Sequence, residues 1–488
     1  MKNIRIILSF ALIATMFVGC SEDFFDRTPT EYITQSDLGD PMKDPAVMES
    51  MVNGMYLTLF TSGTGGIDTH ADFGQKSNDI ISDLLCGDMG MAGSNYGHFY
   101  NSTELKSTSR TNNTNYAIWR YNFRLIKAAN DILALYKDDQ KAPTVGAEVW
   151  GQAKAVRAYA YYNLINFYSK GFKGFESVKV LPIYDITSNV AQPFSTAQQV
   201  YDFIKKDISD AVDALEGFDR SYYNEIDQSV AKGIRSYIYL MGGEWANAIS
   251  DANDVIALNG LSTAKDVTSG FSKLNTKGIL WGVDITNENT GKLASFWGHI
   301  DIYTYGYAYA GDAKIMDSNI FAAIDPLDVR AKQFDANGRP TGKFYNADRK
   351  KGADKSWEGD VFWLRVAEMY LVKAEAEFNS TGAAAAQLTI NSLLNNRKLE
   401  DGNLDIVGTS PAVGTPAYTI TSADDIYLQW RIECWGEGKS YAAMKRLHIT
   451  NTRGANHSEL AGVAISWDDD RLTFPTPENE AINNPNVN

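Results

Sequence analysis

Apolar side chains recur every three or four residues over several stretches of this chain, the spacing that lines one face of a helix. Val156, Ala160, Leu164 and Phe167 fall at i, i+4, i+8 and i+11. The nonapeptide Ala153-Lys154-Ala155-Val156-Arg157-Ala158-Tyr159-Ala160-Tyr161 returns as Ala231-Lys232-Gly233-Ile234-Arg235-Ser236-Tyr237-Ile238-Tyr239, identical at five of nine positions. Behind the second copy, Gly242-Gly243 breaks the pattern and Trp245, Ala248, Ile249 and Ala252 restart it, which describes a helix-turn-helix unit of tetratricopeptide type. Ala248 and Ala252 sit one turn apart and leave room for a neighbouring helix. The same periodicity predicts helices from Tyr116 to Tyr136, Ala197 to Leu215, Val361 to Asn379, Ala383 to Arg397 and Asp424 to Arg446. Between Leu261 and Gly359 it vanishes into Gly, Asn, Asp and aromatic residues, and long irregular segments of compact proteins tend to be binding surface. The expected fold is dominated by α-helix, with helix pairs as a scaffold over about 46–260 and 361–447 and a loop-rich lobe with minor β structure over about 261–360.

The start of the chain follows a different logic. Lys2 and Arg5 precede an apolar run from Ile6 to Val18, too short to span a bilayer and of the length of a signal-peptide core. Phe17-Val18-Gly19-Cys20 then resembles a bacterial lipobox with Phe17 where Leu is usual, so residues 1–19 read as a lipoprotein signal and Cys20 as the lipidated residue. An ordinary cleaved signal containing a cysteine is the alternative. Residues 20–30, acidic and then Pro-bearing, read as a tether, and 31–488 as the binding domain.

Charge narrows the partners. The formal net charge is −15, and loss of Lys2 and Arg5 with the signal makes it more negative. An acidic surface disfavours nucleic acid and direct docking on anionic lipid. No other stretch approaches eighteen consecutive apolar residues, so the body is expected to touch the membrane only through its lipid. Besides Cys20 the chain has Cys86 and Cys434, either a disulfide in an oxidising envelope or two buried thiols.

Five ordered stretches then resemble one family. They are Val156-Arg157-Ala158 through Leu164 with Leu181-Pro182; Leu364-Arg365-Val366-Ala367-Glu368 through Ala374-Glu375-Ala376; Ile390-Asn391-Ser392-Leu393 through Arg397; Arg431-Ile432-Glu433-Cys434-Trp435-Gly436-Glu437-Gly438-Lys439; and Phe474-Pro475-Thr476-Pro477 with Glu480 and Asn484-Pro485-Asn486. Together they resemble the SusD/RagB outer-membrane nutrient-binding lipoproteins. Thr476, Asn395-Asn396-Arg397 and the ending at Asn488 depart from the family pattern. The resemblance implies a SusD-like fold, an outer-membrane location facing the cell exterior, and delivery of a nutrient, most often an oligosaccharide, to a SusC-like TonB-dependent transporter β-barrel. A peptide-capturing member and an envelope glycoside hydrolase are the rival readings. Ligand residues of the family lie in variable loops and do not carry over.

The site must therefore be nominated from the residues. The segment Phe296–Tyr309 holds Trp297, His299, Tyr303, Tyr305, Tyr307 and Tyr309; if extended, its four tyrosines share one face, because strand side chains alternate. Aromatic faces stack on the apolar face of a pyranose while phenol hydroxyls reach its polar edge, and Gly298 and Gly306 would let the backbone bend round a ligand. Tyr96 and Asn101, in a second aromatic loop, add stacking and amide hydrogen bonding. Scaffold packing is the competing reading for each ring. No catalytic residue, cofactor or metal is expected. Gly436-Glu437-Gly438-Lys439-Ser440 lacks the first glycine of a phosphate-binding loop, and His70, His98, His299, His448 and His457 show no metal-ligand spacing.

Overall fold

A computed structural model describes residues 44–346, 355, 357–399 and 414–487. The signal at 1–19, Cys20 and the tether at 20–30 lie outside the described residues. Val52–Asn488 forms one compact unit. Numbering only helices of seven or more residues, the order is α1 (Pro45–Leu57), α2 (Gln75–Cys86), β1 (Met89–Met91), α3 (Asn113–Ala134), α4 (Ala147–Tyr168), β2 (Lys179–Pro182), β3 (Phe194–Thr196), α5 (Ala197–Ala214), α6 (Gln228–Gly242), α7 (Trp245–Leu258), β4 (Ile279–Val283), β5 (Lys314–Met316), β6 (Val361–Arg365), α8 (Val366–Ser380), α9 (Ala383–Leu394), α10 (Ala423–Glu433), α11 (Ser440–Arg446), β7 (Thr450–Thr452) and β8 (Ala464–Ser466).

The repeated nonapeptide explains itself in the packing. In its first copy, on α4, Lys154 and Arg157 pair with Asp207 on α5 at 2.7 and 2.6 Å, and Lys154 also reaches Asp210. In its second copy, on α6, Arg235 pairs with Asp251 and Lys232 with Asp254 on α7, both at 2.7 Å. The same lysine and arginine thus meet two aspartates three residues apart on the following antiparallel helix, which makes each pair one unit of a repeat. Where the first copy has Ala155 the second has Gly233, whose Cβ would stand 2.6 Å from Leu364 Cδ2. Gly243, in the left-handed region at φ 73°, turns the chain from α6 into α7.

Two predicted helices break differently from their pattern. Val361 to Arg365 is a fully buried strand antiparallel to β4, and only Val366 onward is helix. A short apolar run bounded on both sides reads equally as strand or helix, and pairing with Ile279–Val283 decides it. The stretch from Asp424 to Arg446 is two helices, because Gly436 and Gly438 adopt φ of 77° and 72° between α10 and α11.

A buried charge network joins these elements. Glu433 accepts from Arg330, Arg365 and Arg397 at 2.8 to 3.2 Å, and Glu437 from Arg365 and Lys343 at 2.7 Å. Every side chain in it is at most 2% exposed. The surrounding cations hold the Glu433 carboxyl well below the usual carboxylate range against the cost of burial. Cys86 and Cys434 are separate buried thiols, not a disulfide.

The strands that matter for the surface are the shortest. β1 pairs antiparallel with β5, Met89 opposite Met316 and Met91 opposite Lys314, and Ala92 N extends the ladder to Ala313 O at 2.9 Å. That pairing lays the loop after β1 against the segment before β5. Two stretches more than two hundred residues apart become neighbours.

Candidate functional site

Those neighbours are the two aromatic segments. The 296–309 stretch is not extended: Phe296–Ile300 is a short helix, residues 301–307 turn, and Ala308–Asp312 forms a single π-type turn. The period-two face of four tyrosines therefore does not form. Gly298 and Gly306 serve the loop itself, since Tyr307 N donates to Gly298 O at 2.7 Å and a Cβ on Gly306 would stand 2.6 Å from that oxygen. The tyrosines divide instead. Tyr305 and Tyr309 are exposed at 45% and 48%, Tyr303 is half-buried beside Tyr345, and Tyr307 is buried.

Under the exposed rings lies an aromatic floor. His299 stacks between Phe73 and Tyr307, with centroids at 5.4 and 4.7 Å and interplanar angles of 19°, while Phe99 and His98 meet it edge-on. His299 Nε2 donates to His70 O at 2.8 Å, and His70 Nδ1 bonds the Tyr307 hydroxyl. Burial pushes the His299 imidazole well below its ordinary range, helped by Lys314, and lowers His98 as well. Lys314, buried over the Phe99 ring, is pulled down to about 8 by desolvation, against the opposing pull of Asp312.

The second loop docks on this floor through one carboxylate. Asp312 accepts from Asn95 N at 2.7 Å and Tyr96 N at 2.9 Å, and Asn95 Nδ2 donates to Ala310 O. Tyr96, 55% exposed, meets Tyr307 edge-on at 5.0 Å. Lys355 lies over the Tyr305 ring and Trp357 Nε1 donates to Tyr305 O at 2.9 Å. Tyr96, Tyr305 and Tyr309 thus crown two joined loops. A cleft of about 340 Å³ opens on the Tyr96 loop, lined by His98, Asn101, Asn112, Asn113, Asn78 and Tyr121 among others, with Asp72 its one charged side chain. Asn78 Nδ2 is buried there without a partner.

Of the sequence-nominated residues, Tyr96, Tyr305 and Tyr309 present faces to solvent and Asn101 lines the adjoining cleft. His299 and Tyr307 form the floor. Trp297, 1% exposed, is packed with its ring where a Cβ on Gly359 would stand at 2.4 Å, so it props the loop from beneath. Asp312, Lys355 and Trp357 were not nominated, and His70 was weighed only as a metal ligand, because their partners are distant in sequence. One carboxyl pair invites a catalytic reading: Asp360, raised to about 6 by burial and by a hydrogen bond to Asp284. Two carboxyls sharing a proton at hydrogen-bond distance lie closer than the roughly 5 to 9.5 Å a glycosidase needs.

Residues 43–240 match the family described as SusD-like_3, "Starch-binding associating with outer membrane". Across nearly the whole chain, the fold matches a SusD-like carbohydrate binding protein from Bacteroides vulgatus ATCC 8482, with TM-score 0.75 and 21% identity over 91% of this chain and 97% of that one. The fold is SusD-like. A SusD superfamily protein from Bacteroides thetaiotaomicron VPI-5482 aligns with TM-score 0.71 at 19% identity, covering 90% and 98% of the two chains. Surface glycan-binding protein A from Bacteroides thetaiotaomicron aligns at 0.64 and 14%, covering 90% and 97%. No curated protein sequence matches. Within this SusD-like frame the residues that carried the family resemblance, Arg157, Arg365, Arg397, Glu433 and Glu437, are buried ion-pair members, and the aromatic crown lies outside all five motifs. Among the described residues no helix is long and apolar enough to cross a membrane.

Proposed function

We propose that this protein is a non-catalytic, lipid-anchored surface protein that captures an oligosaccharide on Tyr96, Tyr305 and Tyr309 and passes it to a partner TonB-dependent β-barrel transporter. One observation carries the reading: three solvent-facing tyrosines stand on two interlocked loops, one of which also lines, through Gly97, His98 and Asn101, a cleft of amides and hydroxyls. Flat rings take the apolar face of a sugar, and neutral donors and acceptors take its hydroxyls. The lining of the cleft contains no lysine or arginine, which fits a neutral ligand better than an anionic one. The SusD-like family, by its description, binds starch in association with the outer membrane, which agrees with this assignment.

The test is a panel of polysaccharides and of peptides against the purified protein, by affinity electrophoresis and calorimetry, with product analysis on the same samples. Saturable glycan binding without product supports the reading; binding of peptides alone, or release of shortened sugar, rejects it. Anchoring is tested separately by Cys20→Ala, which is expected to move the protein from the membrane to the soluble fraction. Retention of the variant in the detergent phase at wild-type yield contradicts lipidation.

A further inference from the structure

Far from the aromatic crown, the end of α2 gathers three side chains of metal-ligand type. Asp83 stands in its last turn, Cys86 is its final residue, and Gly87 at φ 80° turns the chain so that Asp88 comes back over the helix end, its N–H on Asp83 O at 3.0 Å. One ligand atom from each of Asp83, Cys86 and Asp88 lies within 4.8 Å of the other two. Each carboxylate has one oxygen engaged: Asp83 Oδ2 accepts from Gly436 N at 2.6 Å, and Asp88 Oδ1 from Arg431 Nε at 2.6 Å. Asp83 Oδ1 is buried without a hydrogen-bond partner, on a side chain that is 0% exposed. The Asp88 carboxylate, equally buried, has the Ser440 hydroxyl beside it, and the Tyr427 hydroxyl, on a side chain 2% exposed, stands against the Cys86 thiol, which donates to Asp83 O at 3.6 Å. An orphaned carboxylate oxygen in a dry interior is costly and rare in native proteins.

We propose that Asp83, Cys86 and Asp88 form a structural site for one divalent transition metal of the zinc type, with the Tyr427 hydroxyl as a further oxygen. The ligand set itself suits a divalent ion, since two carboxylates and a thiol that can ionise lie together beside the guanidinium of Arg431. The thiolate directs the choice, since calcium and magnesium take oxygen ligands whereas zinc accepts sulfur and carboxylate together. Bonds of about 2.0 to 2.3 Å draw the three ligand atoms inward from their present spread. Binding replaces the Cys86 S–H bond with a metal–sulfur bond and releases that proton to solvent. The site is sealed, and the ion enters as the chain folds. It would pin the end of α2 to α10 through Tyr427, and it departs from the sequence expectation of no metal because an Asp-x-x-Cys-x-Asp spacing matches no familiar ligand motif.

The test uses the full chain, refolded with zinc or with cobalt and dialysed exhaustively. One equivalent of retained metal and a thiolate-to-cobalt absorption band in the near ultraviolet are expected. Cys86→Ser should abolish the band, Asp88→Asn should lower retention at least tenfold, and Cys434→Ser should leave both unchanged. Wild-type protein that retains no stoichiometric metal, or a cobalt complex without the thiolate band, overturns the proposal, as does retention undiminished in Cys86→Ser. Should either variant fail to fold, the wild-type stoichiometry and spectrum decide alone.

Discussion

The Glu433 network and the tyrosine crown are built from opposite materials. At Glu433, charged side chains are sealed at no more than 2% exposure and held by three guanidinium groups. At the crown, apolar rings stand roughly half in water at Tyr96, Tyr305 and Tyr309. A buried ion needs all of its partners at once, so the network fixes residue identities at set positions, at the last residues of β6 and α10 and in the segments that follow α9 and α10. An exposed ring needs only a platform, and many loop sequences can supply one. The residues that identify the fold are therefore not the residues proposed to bind. A ligand can change from one relative to another while the scaffold stays the same.

The largest expected effect lies in the network. Glu433→Gln leaves the buried Arg397 without a carboxylate and takes one of two from Arg330 and Arg365, which should cost about 3 to 5 kcal/mol in denaturant unfolding. A loss under 1 kcal/mol would mean the network is dispensable and the contrast false. Trp297→Ala separates prop from platform. Truncating a buried indole should cost about 3 to 5 kcal/mol of stability, with glycan affinity of the folded fraction retained more fully than stability. Asp312→Asn weakens the two backbone hydrogen bonds that hold the Tyr96 loop. It should cost about 1 to 3 kcal/mol at most, read as faster amide exchange at Asn95 and Tyr96 and not across α8.

Acidification distinguishes the regions without mutation. His98 and His299 are held below their ordinary value of 6.5 in the folded state, so the unfolded chain takes up protons first as pH falls. Their contribution is complete above about 6.5 and is lost progressively below it, by at most about 1.4 kcal/mol per pH unit for each imidazole. Glu433 and Glu437 are depressed carboxylates with a reference value of 4.5. Their contribution is present above 4.5 and is lost only as pH drops below it. Between pH 6.5 and 5, amide protection, taken relative to the intrinsic exchange rate at each pH, should fall around His70, His98 and Tyr307 while helical circular dichroism holds. Helix loss across that window would contradict the assignment of the two regions.

Much of the scaffold was legible because its signals are local. The repeat placed α4, α6 and α7, and the restart after Gly242-Gly243 is where the turn occurs. The strand at Val361–Arg365 was not legible, since its partner β4 is about eighty residues away and its apolar run fits either element. The crown was half legible: aromatic density singled out Tyr96, Tyr305 and Tyr309, but alternation along an assumed strand put Tyr303 and Tyr307 on the same face, and Trp297 and His299, nominated with them, are buried in the short helix Phe296–Ile300. Nothing local linked His70 to Tyr307 or Asp312 to Tyr96. The pairing of Met89–Met91 with Lys314–Met316 brings the Tyr96 loop to Asp312.

The most direct test of the central claim is calorimetric titration of a glycan identified by the panel into wild-type protein and Tyr96→Ala/Tyr305→Ala, with thermal melts on the same samples. Stacking contributes about 0.5 to 1.5 kcal/mol per ring beyond area burial. The double variant should therefore bind about ten- to hundredfold more weakly, with a melting temperature within about 2 °C of wild type, as befits exposed positions. Unchanged affinity with a lowered melting temperature would show that these rings hold the loops together and that the sugar binds elsewhere.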